Sequence, residues 1–144
     1  MGTRSLTVMQ EDGREIAVLY RQYDGYPDVH GQEIFDILGK SEVVNGYNGG
    51  AQINGAGDMC VQLIAELKRL CVQSPKGGPT SLNQPGNFYL HAPGTRDCGE
   101  EYTYTLNCAK GDILVTVDGY TKCLFEGTMA EYGEWLKRYS DEEE

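Results

Sequence analysis

Two runs of alternating apolar residues flank an Asp-Gly dipeptide near the start of the chain, and this pattern constrains the fold most. The apolar positions repeat at period two through residues 6–8 before Asp12-Gly13 and through residues 16–20 after it. Such alternation is typical of strands with one apolar face, and glycine accepts the positive φ of a tight turn. The sequence therefore predicts an N-terminal β-hairpin.

The rest of the chain mixes helical and strand patterns without strict alternation. The predicted elements are helices over 31–38 and 58–72, strands over 88–91, 102–108, 113–117 and 122–125, and a final helix that begins at Thr128. Thr128 with Glu131 forms a capping box, whereas the Gly-, Asn- and Pro-rich segments 45–57 and 73–87 predict loops. We expect an α+β domain over residues 1–140, with five or six mostly antiparallel strands and two or three helices on one face, and an acidic tail over 141–144.

Composition narrows the function classes. The net charge of −10 argues against bulk nucleic-acid binding, which needs a surplus of Lys and Arg. No apolar run is long enough to cross a membrane, and the N-terminus lacks a signal-peptide pattern, so we expect a cytoplasmic protein. Five cysteines without a Cys-x-x-Cys spacing predict reduced structural thiols, and two histidines do not support a His-rich metal site. We expect neither a metal nor a cofactor.

The candidate ligand-binding residues share polar or aromatic side chains near predicted strand ends and loops. They are Arg4, Arg21, Tyr23, Asp24, Tyr26, His30, Asn45 and Arg96. Arginine offers a planar fork that suits phosphate, and tyrosine rings stack on nucleobases. This combination predicts a pocket for a nucleotide-like anion.

Other interpretations of these residues stay open. Asp24 or Asp28 could orient His30 as a general base, which would make an acid–base catalyst. Alternatively, the carboxylates of this segment could cap turns, and Arg96 could pair with a neighbouring acid. The glycine-rich loop 46–57 opens a helix, as phosphate-binding loops do, but it matches neither a Walker A loop nor G-x-G-x-x-G.

Three segments resemble a group of small proteins of bacteriophages, prophages and bacterial genomes. The likeness rests on the opening Met-Gly-Thr-Arg-Ser-Leu-Thr, on Tyr-Arg-Gln-Tyr-Asp-Gly-Tyr-Pro at 20–27 with His30-Gly31, and on Phe-Glu-Gly-Thr at 125–128. The resemblance implies a phage-like setting, hence the host cytoplasm, and it supplies no catalytic residues.

That setting favours a counter-defence protein that sequesters a nucleotide-derived immune signal, without turnover, in a homo-oligomer. Two alternatives belong to other classes. One is a small phosphoester-acting enzyme that uses Asp24 and His30, and the other is an acidic inhibitor that contacts a host defence enzyme directly.

Overall fold

The computed structural model of the protein describes residues 2–46, 48–50, 52–73 and 87–143. The loop predicted over 73–87 therefore lies, except for its two end residues, outside the described residues. No helix in the described ranges is long and apolar enough to span a membrane.

Six strands form one mixed, mostly antiparallel sheet, and two short strands form a separate parallel pair. The strands are β1 (Ser5–Glu11), β2 (Arg14–Arg21), β3 (Glu42–Val44), β4 (Gln52–Asn54), β5 (Phe88–His91), β6 (Tyr102–Ala109), β7 (Asp112–Asp118) and β8 (Cys123–Thr128). The large sheet has the order β5-β2-β1-β6-β7-β8, in which only β1 and β6 run parallel, and β3 pairs with β4.

The predicted N-terminal hairpin is confirmed. β1 and β2 pair with Val8 opposite Val18, and the connecting residues Asp12 and Gly13 have φ angles of +47° and +83°. Two successive positive φ angles define a type I′ turn, whose twist matches that of the flanking strands.

Three helices pack on one face of the sheet, which confirms the predicted α+β class. They are α1 (Gln32–Leu38), α2 (Gly55–Gln73) and α3 (Met129–Glu143). Their apolar sides meet every second residue of the central strands, such as Met9 and Leu106, to form the main core. The capping box at α3 forms as predicted, because Thr128 and Glu131 exchange hydrogen bonds of 2.9 and 3.2 Å.

The opposite face of the sheet, which we call the second face, is covered in part by the connection 92–101 between β5 and β6. Leu6, Val8 and Val18 are fully buried there, and Cys98 of the connection packs on them. Burial of the Cys98 side chain raises the pKa of its thiol. The central hairpin is therefore covered on both faces.

Several boundaries differ from the expectations. The predicted loop 45–57 contains β4 and the start of α2, which begins at Gly55 because the Asp58 carboxylate accepts the Asn54 backbone N–H at 2.8 Å. At the other end of the chain, α3 continues to Glu143, so three of the four residues expected in the acidic tail belong to this helix.

Candidate functional site

The predicted ligand residues near the first hairpin gather at one end of the sheet, where β1 and β6 begin and β2 ends. Two groups of side chains occupy this end. One group is buried between the sheet and the helices, and the other lies on the second face.

His30 is at the centre of the buried group. It lies in a five-residue π-helical turn, Pro27–Gly31, in which the Gly31 N–H donates to the Tyr26 carbonyl at 3.3 Å. Such turns are rare and often occur at functional sites. This turn places the imidazole between sheet and helices, with no exposed surface.

Both ring nitrogens of His30 have partners. Nδ1 lies 2.9 Å from Arg21 Nη1, and Nε2 lies 2.7 Å from Thr7 Oγ1. Because an arginine can only donate, Nδ1 accepts, and the ring proton sits on Nε2 and is donated to Thr7. Burial, together with the charge of Arg21, lowers the pKa of His30 well below its usual value. The imidazole is therefore neutral in the folded protein at neutral pH.

Arg21 holds the loop that follows β2. Its Nε donates to the Tyr23 carbonyl at 2.6 Å, and its Nη1 pairs with Glu33 Oε1 at 2.5 Å. The guanidinium also lies over the Phe88 ring, 5.0 Å from its centroid. Its side chain is 7% exposed. Arg21 is thus committed to internal partners rather than presented to a ligand.

Asn87 fixes the same loop from the side of β5. Its Oδ1 accepts the Tyr23 N–H at 2.6 Å, and its Nδ2 donates to the Tyr23 carbonyl at 3.1 Å. Its own carbonyl accepts the Gln22 N–H at 2.8 Å. Since both backbone groups of Tyr23 are bonded, the exposed ring of this residue projects from a fixed backbone.

The second group, which we call the second-face cluster, consists of Arg4, Tyr20, Tyr23, Tyr89 and His91. The ring centroid of Tyr20 lies 6.1 Å from that of Tyr89 and 6.2 Å from that of His91. Tyr23 is 53% exposed and Tyr89 is 49% exposed. The cluster therefore presents aromatic faces to solvent at the β2–β5 edge of the sheet.

Arg4 supplies the positive charge of this cluster. Its guanidinium is close enough to Tyr20 to oppose the rise in the pKa of that phenol, which is caused mainly by burial. Its Nη1 lies 2.6 Å from the point that a Cβ on Gly99 would occupy, so the guanidinium packs closely on the connection at Gly99. Arg4 is half-buried, and among the described residues no carboxylate forms an ion pair with it.

The remaining predicted residues lie apart from these two groups. Asp24 is exposed with a φ of +65°, and it is not a partner of either ring nitrogen of His30. Tyr26 is 42% exposed and contacts Tyr102 on the other side of the sheet end. Asn45 is exposed after β3.

Arg96 pairs with a residue that the sequence did not indicate. Its Nη2 lies 2.7 Å from Glu15 Oε2, and the same carboxylate accepts the Gly94 N–H at 2.7 Å. The hydrogen bond from Arg96 is the main cause that lowers the pKa of Glu15. The hydrogen bond from Gly94 and the positive charge of Arg96 lower it further. The alternative in which Arg96 pairs with a neighbouring acid is wrong, since its partner is Glu15 and the nearby Glu100 accepts backbone N–H groups of the connection.

Three members of the second-face cluster were missed in the sequence: Tyr20, Tyr89 and His91. The sequence could have indicated that Tyr89 and His91 share a face, because they are two residues apart in the predicted strand 88–91. What the sequence did not provide was the pairing of β5 with β2, which sets Tyr89 opposite Tyr20.

No group of three or more metal-binding side chains occurs within the described part of the chain. The chain matches no family model, no curated protein and no solved structure.

Proposed function

We propose that the protein binds and sequesters a nucleotide-derived anion on the second-face cluster, without turning it over. The observation that carries this proposal is Arg4, a half-buried guanidinium with no acidic partner among the described residues and with Tyr20 beside it. A phosphate can accept from such a guanidinium, while a base stacks on the exposed tyrosine rings.

Binding is favoured over catalysis by the position of His30. Its two nitrogens are occupied by Thr7 and Arg21, and the ring is sealed from solvent. A general base must reach the proton that it removes, directly or through one water. Asp24 is exposed and does not orient the ring, so the geometry does not favour the acid–base pair.

Nanomolar binding of such a ligand requires contacts from more than one copy of the chain. One charge-assisted contact contributes about 1.5–3 kcal/mol, and each base stacked on a tyrosine contributes roughly 1–3 kcal/mol. One arginine and two stacks thus yield at most about 9 kcal/mol before an association penalty of roughly 4 kcal/mol or more. Nanomolar sequestration needs about 12 kcal/mol net. We therefore propose a homo-oligomer in which two clusters share a ligand.

The biological setting of the proposal is counter-defence by a phage in the cytoplasm of its host. It is supported by the resemblance of residues 1–7 and 20–31 to small phage and prophage proteins. A protein that removes an immune signal from solution needs affinity and abundance rather than turnover, which agrees with the full burial of His30, the imidazole of the alternative acid–base pair.

The test is native mass spectrometry of the protein purified from infected cells, followed by denaturation and analysis of any released small molecule. We expect an intact nucleotide on an oligomer, and Arg4→Ala should weaken its binding by about 10- to 150-fold, which corresponds to one charge-assisted contact.

Arg14→Ala is the matched control, because Arg14 is an exposed arginine at the hairpin turn and its removal changes the net charge equally. Equal loss of ligand in both variants would show that only overall charge matters. A chemically altered ligand after incubation would establish turnover instead. An empty protein with a bound host polypeptide would favour inhibition by contact.

A further inference from the structure

A separate cavity of about 420 Å³ opens between the start of β6 and the turn that joins β7 to β8. Tyr102, Tyr120 and Leu124 are among the residues that line it. This volume lies within the range of small-molecule sites in proteins. The cavity includes no member of the second-face cluster.

The turn that carries Tyr120 is closed by its own backbone. The Gly119 N–H donates to the Lys122 carbonyl at 2.8 Å. Leu124 lies beside this turn, since its Cδ1 would be 3.4 Å from a Cβ placed on Gly119. Tyr120 projects from the turn and is 86% exposed. The ring of Tyr120 is almost entirely in contact with solvent in the free protein, so it is available to cover a ligand.

The opposite wall is anchored to the rest of the fold. Tyr102 is half-buried, and its ring centroid lies 6.4 Å from that of Tyr26 and 6.5 Å from that of Tyr104. The cavity therefore has one fixed aromatic wall and one exposed aromatic wall.

The polar lining carries one charge of each sign. Glu101 and Lys122 both border the cavity, yet within the described residues neither forms an ion pair, with the other or with a third group. Thr121 also borders the cavity, and its hydroxyl can both donate and accept. The cavity thus offers an acceptor, a donor and a hydroxyl with no net charge.

We propose that this cavity binds an uncharged sugar ring. The C–H face of a pyranose packs against a tyrosine ring, and its hydroxyls both donate and accept hydrogen bonds, as Glu101, Thr121 and Lys122 require. An anionic ligand is disfavoured, because the Glu101 carboxylate offsets the attraction of Lys122. This selectivity is opposite to that of Arg4, which has no carboxylate partner.

The test is saturation-transfer NMR of the full chain with three probes at millimolar concentration: methyl β-glucoside, methyl α-mannoside and N-acetylglucosamine. We expect transfer to the ring protons of at least one probe. Tyr120→Ala should abolish the transfer, whereas Tyr120→Phe should retain it because the stacking face remains. Tyr120 is so exposed that neither change should disturb folding.

Tyr89→Ala is the matched control, since it removes an exposed tyrosine from the second-face cluster and should leave sugar transfer unchanged. The same samples titrated with AMP should show no displacement of the sugar. The proposal is overturned by absence of transfer from all three probes, by transfer that survives Tyr120→Ala, or by displacement with AMP.

Discussion

Acidification below about pH 6.5 should destabilise this protein through His30. The imidazole is fully buried, accepts from Arg21 and donates to Thr7, and its pKa lies well below the ordinary value of 6.5. In the unfolded chain the same imidazole takes up a proton near pH 6.5. Below that pH the unfolded state therefore binds more protons than the folded state, and the free energy of unfolding falls as the pH is lowered.

The size of this effect follows from the unfolded-state pKa, provided that the folded imidazole stays neutral. The linkage relation gives a loss of about 1.3 kcal/mol between pH 7.0 and pH 5.5, approaching 1.4 kcal/mol for each further unit. The loss ends once the pH reaches the folded-state pKa. Glu15 and Glu131, whose pKa values are lowered in the fold, add their own losses only at more acidic pH, near and below 4.5.

The assay is urea unfolding at pH 7.0, 6.5, 6.0 and 5.5 for the natural chain, His30→Gln and His91→Gln. His30→Gln should be less stable than the natural chain at pH 7.0, since it loses the ring Nδ1 that accepts from Arg21. Between pH 7.0 and pH 5.5, however, its free energy of unfolding should fall by about 1.3 kcal/mol less than that of the natural chain. His91 is exposed, so His91→Gln should keep the steep dependence. If His30→Gln and the natural chain have parallel profiles, the imidazole titrates freely in the folded state and the buried network is refuted.

Four further changes test the packing, hydrogen bonding and helix capping of the fold. Gly31→Ala should destabilise by about 1–3 kcal/mol, because its Cβ would lie 2.7 Å from the Tyr132 hydroxyl. Gly57→Ala should stabilise by about 0.4–1 kcal/mol, since nothing lies within 4 Å and the site is helical; thermal unfolding of both variants should give shifts of opposite sign. Asn87→Ala should lower the unfolding free energy by about 1–3 kcal/mol through two lost hydrogen bonds to the β2–α1 loop, and unchanged stability in urea would contradict this. Thr128→Ala should lower the free energy of unfolding by about 1 kcal/mol, because it removes the α3 cap. Urea unfolding followed by the helical circular-dichroism signal would measure this change.

The elements that the sequence predicted well are those whose signals are local. The Asp12-Gly13 turn and the Thr128 capping box each need only a few neighbouring residues, and both form as predicted. The strand over 88–91 has the predicted bounds. What local patterns could not provide was the parallel pairing of β1 with β6, which joins residues about a hundred positions apart. The short strands β3 and β4 were missed because three residues in a glycine-rich segment carry too little periodicity to be recognised.

The apolar residues that predicted the first hairpin do not lie on the face that meets the helices. The apolar residues that predicted the hairpin, such as Leu6 and Val18, point to the second face and are buried there beneath the connection 92–101. The residues between them, including Thr7, Leu19 and Arg21, point toward the helices. Periodicity identifies a strand with two distinct faces, but it does not say which face meets the helices when both are covered.

The alternation of side chains along the strands places Arg4 and Arg21 on opposite faces of the sheet. In the hairpin register Arg21 lies opposite Ser5, and both side chains face the helices, where Arg21 meets His30. Arg4 precedes β1 by one position, so its side chain falls on the second face with Tyr20. A shift of one residue in either strand would exchange these faces. The two arginines have the same side chain and lie at the same end of the sheet, yet strand parity makes one a buried support and leaves the other half-buried on the second face, with no ion pair among the described residues.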